Sequence, residues 1–231
     1  MPEAKPTIAV LGGTGNLGFG LGLRWARAGY EVIIGSRQQA KAEAAVVRLK
    51  EQLAEGNLRG LDNPAAAAAA DIVVMTVPFA SHRATIESVR EEVQGKIFVD
   101  VTVPLVPPRV MRVQLPPGGA AGLAAQTLLG ESVCVVSAFQ NVAADHLEDL
   151  RHDIDCDVLV AGNSLEARAA VITLAEAAGM RAWHIGPIEN AAIAEALTSG
   201  LIFLNRRYGI DGAGIRITGA PTRDPAAKPD A

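Results

Sequence analysis

The 231 residues carry 21 basic and 25 acidic side chains, a formal net charge of −4; that balance supplies no field to gather nucleic acid or an anionic membrane surface, so the expected partners are small molecules. A chain of this length buries a sizeable core, as one large domain or one domain with an appendage. With no basic-then-apolar leader and no run near the roughly 20 apolar residues that span a bilayer, the sequence reads as soluble and cytoplasmic.

In chain order, residues 1–6 are a short leader and Thr7 to Leu11 a strand. Gly12 to Gly18 is a glycine turn, and the next segment sets Leu17, Leu21, Trp25 and Ala28 on one helical face before a second strand, Glu31 to Arg37. A covering helix follows to about Glu55, with Ala42, Val46, Leu49 and Leu53 inward. Gly56 to Asp62 is a connection with room for a short strand, and Asn63-Pro64 then supplies an N-cap and first-turn proline for an alanine helix. Asp71 to Val77 is a strand buried on both faces; Ser81 starts a helix through Ile86, Val89 and Val93 that Gly95 closes.

The strand Lys96 to Val101 runs into Thr102-Val103-Pro104-Leu105-Val106-Pro107-Pro108, whose prolines fix an extended loop and an expected cleft wall. An alanine-rich helix from about Ala120 to Leu129 leads to the strand Ser132 to Ala138. The strand Asp157 to Ala161, the helix Leu165 to Ala178 and the strand Met180 to Ile185 follow. Cys134 and Cys156 lie in apolar runs without metal or CxxC spacing, so buried reduced thiols are expected, with neither disulfide nor metal. From Glu189 to Tyr208 a long helix carries Ile193, Leu197, Leu201 and Leu204 for burial against the sheet, a second subunit or both. Gly209 to Ile217 is glycine-rich, and residues 220–231 are expected to be disordered. The alternation predicts an α/β, Rossmann-like, doubly wound parallel sheet over residues 7–186, with a small C-terminal helical region over 187–219.

The functional signal lies in the opening strand, turn, helix and strand. Gly13, Gly15 and Gly18 are spaced for a tight turn, close approach of backbone to a pyrophosphate, and close packing of helix on strand. At the end of the second strand an NAD site usually presents a carboxylate to the adenosine ribose; here stand Ser36 and Arg37, with Lys41 one turn on. A hydroxyl, a guanidinium and an ammonium make a cup for a 2'-phosphate, so NADP is preferred over NAD. Ligands gather at the carboxyl ends of parallel strands, which turns Val77, Pro78 and Phe79, and the Pro104 loop, toward the cofactor.

A hydroxy-acid or alcohol dehydrogenase also needs a positioned proton carrier. None is evident: the five lysines are at positions 5, 41, 50, 96 and 228, outside the last helix. His82, His146, His152 and His184 read as surface or packing residues, and Glu195 as a solvated or capping acid. Hydride transfer between two stacked rings needs no obligatory side-chain acid. The residues are thus compatible with a reductase of a flavin-like ring, with a reductase of another acceptor such as an imine, and with a non-enzymatic NADP sensor.

Taken together, Gly12-Gly13-Thr14-Gly15-Asn16-Leu17-Gly18, Gly35-Ser36-Arg37 with Lys41, Val77-Pro78, Pro104-Leu105-Val106-Pro107, Val136-Ser137-Ala138 and Gly212-Ala213-Gly214-Ile215 resemble the NADPH-dependent reductases of the deazaflavin coenzyme F420, from about Thr7 to Gly219. The resemblance implies reversible hydride transfer between nicotinamide C4 and deazaflavin C5, and a homodimer with the C-terminal helices in its interface. It implies that Thr14, Gly15, Asn16 and Leu17 hold the pyrophosphate, and Ser36, Arg37 and Lys41 the 2'-phosphate. Val77 and Pro78 would flank the cofactor, while the Pro104 loop with Gln140, Asn141 and Val142 would border the deazaflavin. Gln38, Gln140, Ala192 and Ala196 depart from that family's pattern, in which more basic or polar residues are expected.

Overall fold

The computed structural model describes residues 4–53 and 55–222; part of the expected leader, and residues 223–231 of the tail expected to be disordered, lie outside the described residues. In chain order the elements are β1 (Ile8–Leu11), α1 (Asn16–Arg27), β2 (Val32–Ser36), α2 (Gln39–Gln52), β3 (Leu58–Asp62), α3 (Asn63–Ala68), β4 (Ile72–Met75) and α4 (His82–Ser88). The second half holds β5 (Ile97–Asp100), α5 (Ala121–Leu129), β6 (Cys134–Ser137), α6 (Ala144–Glu148), β7 (Val158–Gly162), α7 (Leu165–Ala177), β8 (Ala182–His184) and α8 (Ala191–Tyr208).

The strands lie in the order β3-β2-β1-β4-β5-β6-β7-β8. Both faces are covered, and the alternation of a pleated strand divides the core between them. Ile8, Val10, Ile72 and Val74 face α1, α2 and α7, while Ala9, Leu11, Val73 and Met75 face α3, α4 and α5. Trp25 of α1 is fully buried, donates from Nε1 to the Leu174 carbonyl at 2.8 Å, and meets the Phe139 ring edge-on at 5.9 Å. Phe139, at the exit of β6, is held at φ +71, a conformation bulky residues rarely adopt, and its packing against Trp25 offsets that strain.

Three details depart from the sequence expectation. The sheet is not parallel throughout: β6 and β7 pair antiparallel, with Ser137 opposite Ala161. Residues 138–157 join β6 to β7 at the same end of the sheet without a crossover, so the chain direction reverses. That connection carries α6 against α1, where Arg24 donates to the carbonyls of Leu147 at 2.9 Å, Asp149 at 2.9 Å and His152 at 3.0 Å. Second, α4 ends at Ser88, and Val89 and Val93 complete the buried stripe from turns beyond it. Third, the N-cap of α3 is Asp62, whose carboxylate accepts from the Ala65 N–H at 2.8 Å; Asn63 is already the first helical residue. Of α8, expected to bury its apolar residues against the sheet, a second subunit or both, Ala191, Ala194, Glu195, Ser199 and Leu201 are buried within the chain, while Ile193 and Leu204 are exposed. Small residues win that face because the seam with α5 is tight: a Cβ placed on Gly122 would lie 3.3 Å from that of Ala191.

The glycine-rich C-terminal segment does approach backbone closely. The Ile215 carbonyl accepts from the Asp157 N–H at 2.8 Å, and the Asp157 carboxylate accepts from the Ile217 N–H at 2.7 Å, Arg181 Nε at 2.9 Å and Trp183 Nε1 at 2.9 Å. Burial works to raise the Asp157 pKa, but these donors outweigh it and hold the carboxyl below its ordinary value.

Candidate functional site

The turn after β1 is built to leave donors free. Gly12, at φ +76, donates its N–H to the Gly35 carbonyl at 3.0 Å, and the Gly15 N–H donates back to the Gly12 carbonyl at 3.0 Å. Gly15 then serves as the N-cap of α1 without a capping side chain, and no acid occupies the first turn of the helix. The helix therefore presents uncapped N–H groups and the positive end of its dipole to the space above β1, the arrangement that receives a phosphate. A Cβ on Gly15 would meet only the Gly12 carbonyl, at 3.6 Å, and would otherwise point into open space.

That space is a cavity of about 720 Å³ along the carboxyl ends of β1, β2, β4 and β5. Of the residues expected from sequence, Thr14, Gly15, Asn16, Leu17, Ser36, Arg37, Lys41, Val77 and Pro78 line it together. Gly13 and Gly18 lie behind the wall. A Cβ on Gly13 would sit 2.8 Å from the Val10 carbonyl, and one on Gly18 would collide with Thr76 Oγ1, so these two set the turn and the helix–strand distance. Ser36 is buried at the end of β2 and accepts weakly from the Gln38 N–H at 3.4 Å, while Arg37 and Lys41 stand exposed at the rim.

The loop after β5 contributes Val103, Leu105 and Pro107 to the wall, but Pro104 itself is buried behind it. Gln140, Asn141 and Val142 are not on the wall. Gln140 Nε2 donates to the Asp100 carbonyl at 2.9 Å and to Ser137 Oγ at 2.8 Å, and the Gln140 main-chain carbonyl accepts from Thr198 Oγ1 of α8 at 2.9 Å. Asn141 Nδ2 donates to the Asp157 carbonyl at 2.7 Å. These bonds tie the exit of β6 to β5, to the start of β7 and to α8.

Phe79 and Thr102 face the cavity as expected of the strand end and the loop, whereas Asn63, Thr76 and Thr85, which also face it, were not anticipated. Thr102 Oγ1 and Asn63 Oδ1 are buried and have no hydrogen-bond partner among the described residues. Beneath the floor is a buried polar cluster. His82 Nε2 lies 2.7 Å from Asp100 Oδ2, and the Thr102 N–H donates to Asp100 Oδ1 at 2.9 Å. Glu195, 1 % exposed, accepts from the N–H groups of Ala121 at 2.7 Å and Gly122 at 3.0 Å, so an acid of α8 caps α5. Burial, above all, drives the Glu195 pKa up to about 7, with the Asp100 charge adding to it against the two N–H bonds and His82.

At the end of the cavity away from Arg37 and Lys41 the described wall is made of Val77, Pro78, Phe79, Val103 and Leu105 with threonine and serine hydroxyls; no titratable side chain lines it. The site thus has a cationic end, a glycine turn that opens a helix, and an apolar end whose described wall carries no titratable side chain.

The family model described as NADP oxidoreductase, coenzyme F420-dependent, matches residues 7–104. The F420-dependent NADP reductase of Methanocaldococcus jannaschii is 45% identical over 219 residues, covering 91% of this chain and 97% of its own. That of Methanothermobacter thermautotrophicus is 42% identical over 224 residues, covering 94% and 97%. A solved structure from Arthrobacter sp. fb24, assigned as an F420-dependent NADP-reductase, superimposes with a TM-score of 0.78 at 29% identity over 93% of this chain and 100% of that one. Identity at this level over nearly the whole length of both chains places this protein in the family of F420-dependent NADP reductases.

Proposed function

We propose that the protein is an NADPH:F420 oxidoreductase that catalyses F420 + NADPH + H⁺ ⇌ F420H2 + NADP⁺. Bound together, nicotinamide C4 and deazaflavin C5 supply the hydride donor and acceptor, and the proton is exchanged with solvent. The chain's own work is positional. The uncapped start of α1 with Thr14, Gly15, Asn16 and Leu17 binds the pyrophosphate, and Ser36, Arg37 and Lys41 bind the 2'-phosphate. Val77 and Pro78 hold the nicotinamide, and the wall formed by Val103, Leu105 and Pro107 excludes water from the ring faces. Gln140 and Asn141 support the deazaflavin side from behind the wall, through their bonds to β5, to the start of β7 and to α8, and Val142 follows them in the same turn, its N–H donating to the Phe139 carbonyl.

The observation that carries this reading is the apolar end of the cavity, which has no titratable side chain on its described wall. A dehydrogenase of alcohols needs such a group; a transfer between two redox rings does not. The test is anaerobic mixing of the protein with NADPH and F420 while following the absorbance of the oxidised deazaflavin. Bleaching that requires both partners is the expected result. Turnover with a free flavin or pyrroline carboxylate and none with F420 would assign the site to another acceptor, and binding of NADPH without oxidation by any of them would leave a sensor. The reading includes a cytoplasmic homodimer joined through the outward side of α8, where Ile193, Phe203, Leu204 and Tyr208 are exposed.

A further inference from the structure

At the adenosine end of the cavity one buried side chain has an atom left over. Asn63 is 4 % exposed and lines the cavity beside Ser36, Arg37 and Lys41, yet its Oδ1 has no hydrogen-bond partner among the described residues. Capping does not explain it, because Asp62 performs that task for α3. Nor is it loosely placed: a Cβ on Gly35 would lie 3.0 Å from Oδ1, so the carboxamide rests against the backbone of β2 one residue before Ser36. The register confirms the neighbourhood, since Ser36 pairs with Asp62 across the β2–β3 ladder and Asn63 follows directly. A buried amide oxygen without a donor is destabilising to the free protein, and such groups persist where a ligand completes them.

The chemistry of the adenosine end of NADP narrows what that ligand group is. The 2'-phosphoribose offers a 3'-hydroxyl, which donates, next to phosphate oxygens, which accept. A carboxamide presents one acceptor and two donors in one plane and serves both neighbours at once, whichever way its O and N are turned. We propose that Asn63 is a specificity residue for the 2'-phosphoribose, bridging the 3'-hydroxyl and the 2'-phosphate alongside Ser36 and Arg37. The pair Asp62-Asn63 then divides the work: the acid is spent on the helix cap, and the neutral amide is the group turned to the dianion. A carboxylate in the place of Asn63 retains the acceptor for the 3'-hydroxyl but repels the phosphate.

This proposal rests on the NADP reading and is tested without F420 or turnover, by calorimetric titration with adenosine 2',5'-bisphosphate and with 5'-AMP. Wild type, Asn63→Ala and Asn63→Asp are compared, with circular dichroism to establish that each variant is folded. Asn63→Ala is expected to weaken the bisphosphate about tenfold, and Asn63→Asp to weaken it by about a hundredfold while changing 5'-AMP by less than about threefold. Unchanged bisphosphate affinity in Asn63→Asp, or equal loss of both ligands, overturns the role of Asn63 while leaving the NADP site standing. A wild type with no preference for the bisphosphate over 5'-AMP removes the NADP reading and this proposal with it.

Discussion

Arg37 and Glu195 show two ways in which one charge is put to use. Arg37 is exposed at the cavity rim, where charge-assisted bonds to a phosphate are strong because the guanidinium has no internal task. Arg37→Ala should raise the KM for NADPH by about 30-fold or more, and that for NADH by about threefold at most. Equal losses for both nucleotides would show that Arg37 does not meet the 2'-phosphate. Glu195 is the opposite case, a buried acid whose pKa is raised from 4.5 to about 7. The folded state then holds a proton that the unfolded state releases, so stability falls as pH rises from about 4.5 through about 7, by an order of 3 kcal/mol. Glu195→Gln removes that slope. The stability difference between variant and wild type in urea should shift in the variant's favour from pH 5 to pH 8; a difference independent of pH would contradict the buried titration.

These residues also mark what was legible. Ser36, Arg37 and Lys41 could be read because a phosphate demands cations at a known point after the second strand. Asn63 was misread because Asn before Pro at a helix start looks like a cap, and only coordinates show that Asp62 holds that place. The His82–Asp100 contact and the tertiary cap from Glu195 join elements 18 and 74 residues apart, a distance over which local pattern carries no information.

At the scale of elements, the glycine turn and α1 act as one unit. Gly18 lets the helix close onto the turn, and a methyl group there would collide with Thr76 Oγ1 and lie 2.8 Å from the Gly13 Cα. Backbone cannot move aside as a side-chain tip can. Gly18→Ala should therefore cost about 1–3 kcal/mol in denaturant unfolding and weaken NADPH together with NADH, because the displaced helix start serves both. Loss of stability with undiminished nucleotide binding would separate the packing role from the site. Strands and helices were largely readable because both faces of the sheet are covered and the apolar runs are long. The reversal of β7 was not, since pairing direction depends on the path of residues 138–157 and on the Arg24 anchor, a buried arginine that a helix pattern reads as solvated.

For the whole molecule, the apolar residues exposed on α8 and the apolar end of the cavity define the two remaining tasks. The face bearing Ile193 and Phe203, 53 % and 50 % exposed, is the proposed dimer surface. Ile193→Glu with Phe203→Glu should convert a dimer to a monomer in sedimentation analysis; a wild type already monomeric at micromolar concentration would remove that part of the proposal. No helix among the described residues is long and apolar enough to cross a membrane.

The central claim is that the protein positions two rings for direct hydride transfer from C4 of one to C5 of the other. NADPH deuterated at the transferring C4 position, oxidised by F420 on the enzyme in ordinary water, tests it directly. The account predicts that the deuterium is recovered in full at C5 of the reduced deazaflavin. Protium from solvent at C5, appearing during turnover, would contradict it and require a group on the chain that exchanges hydrogen between the rings.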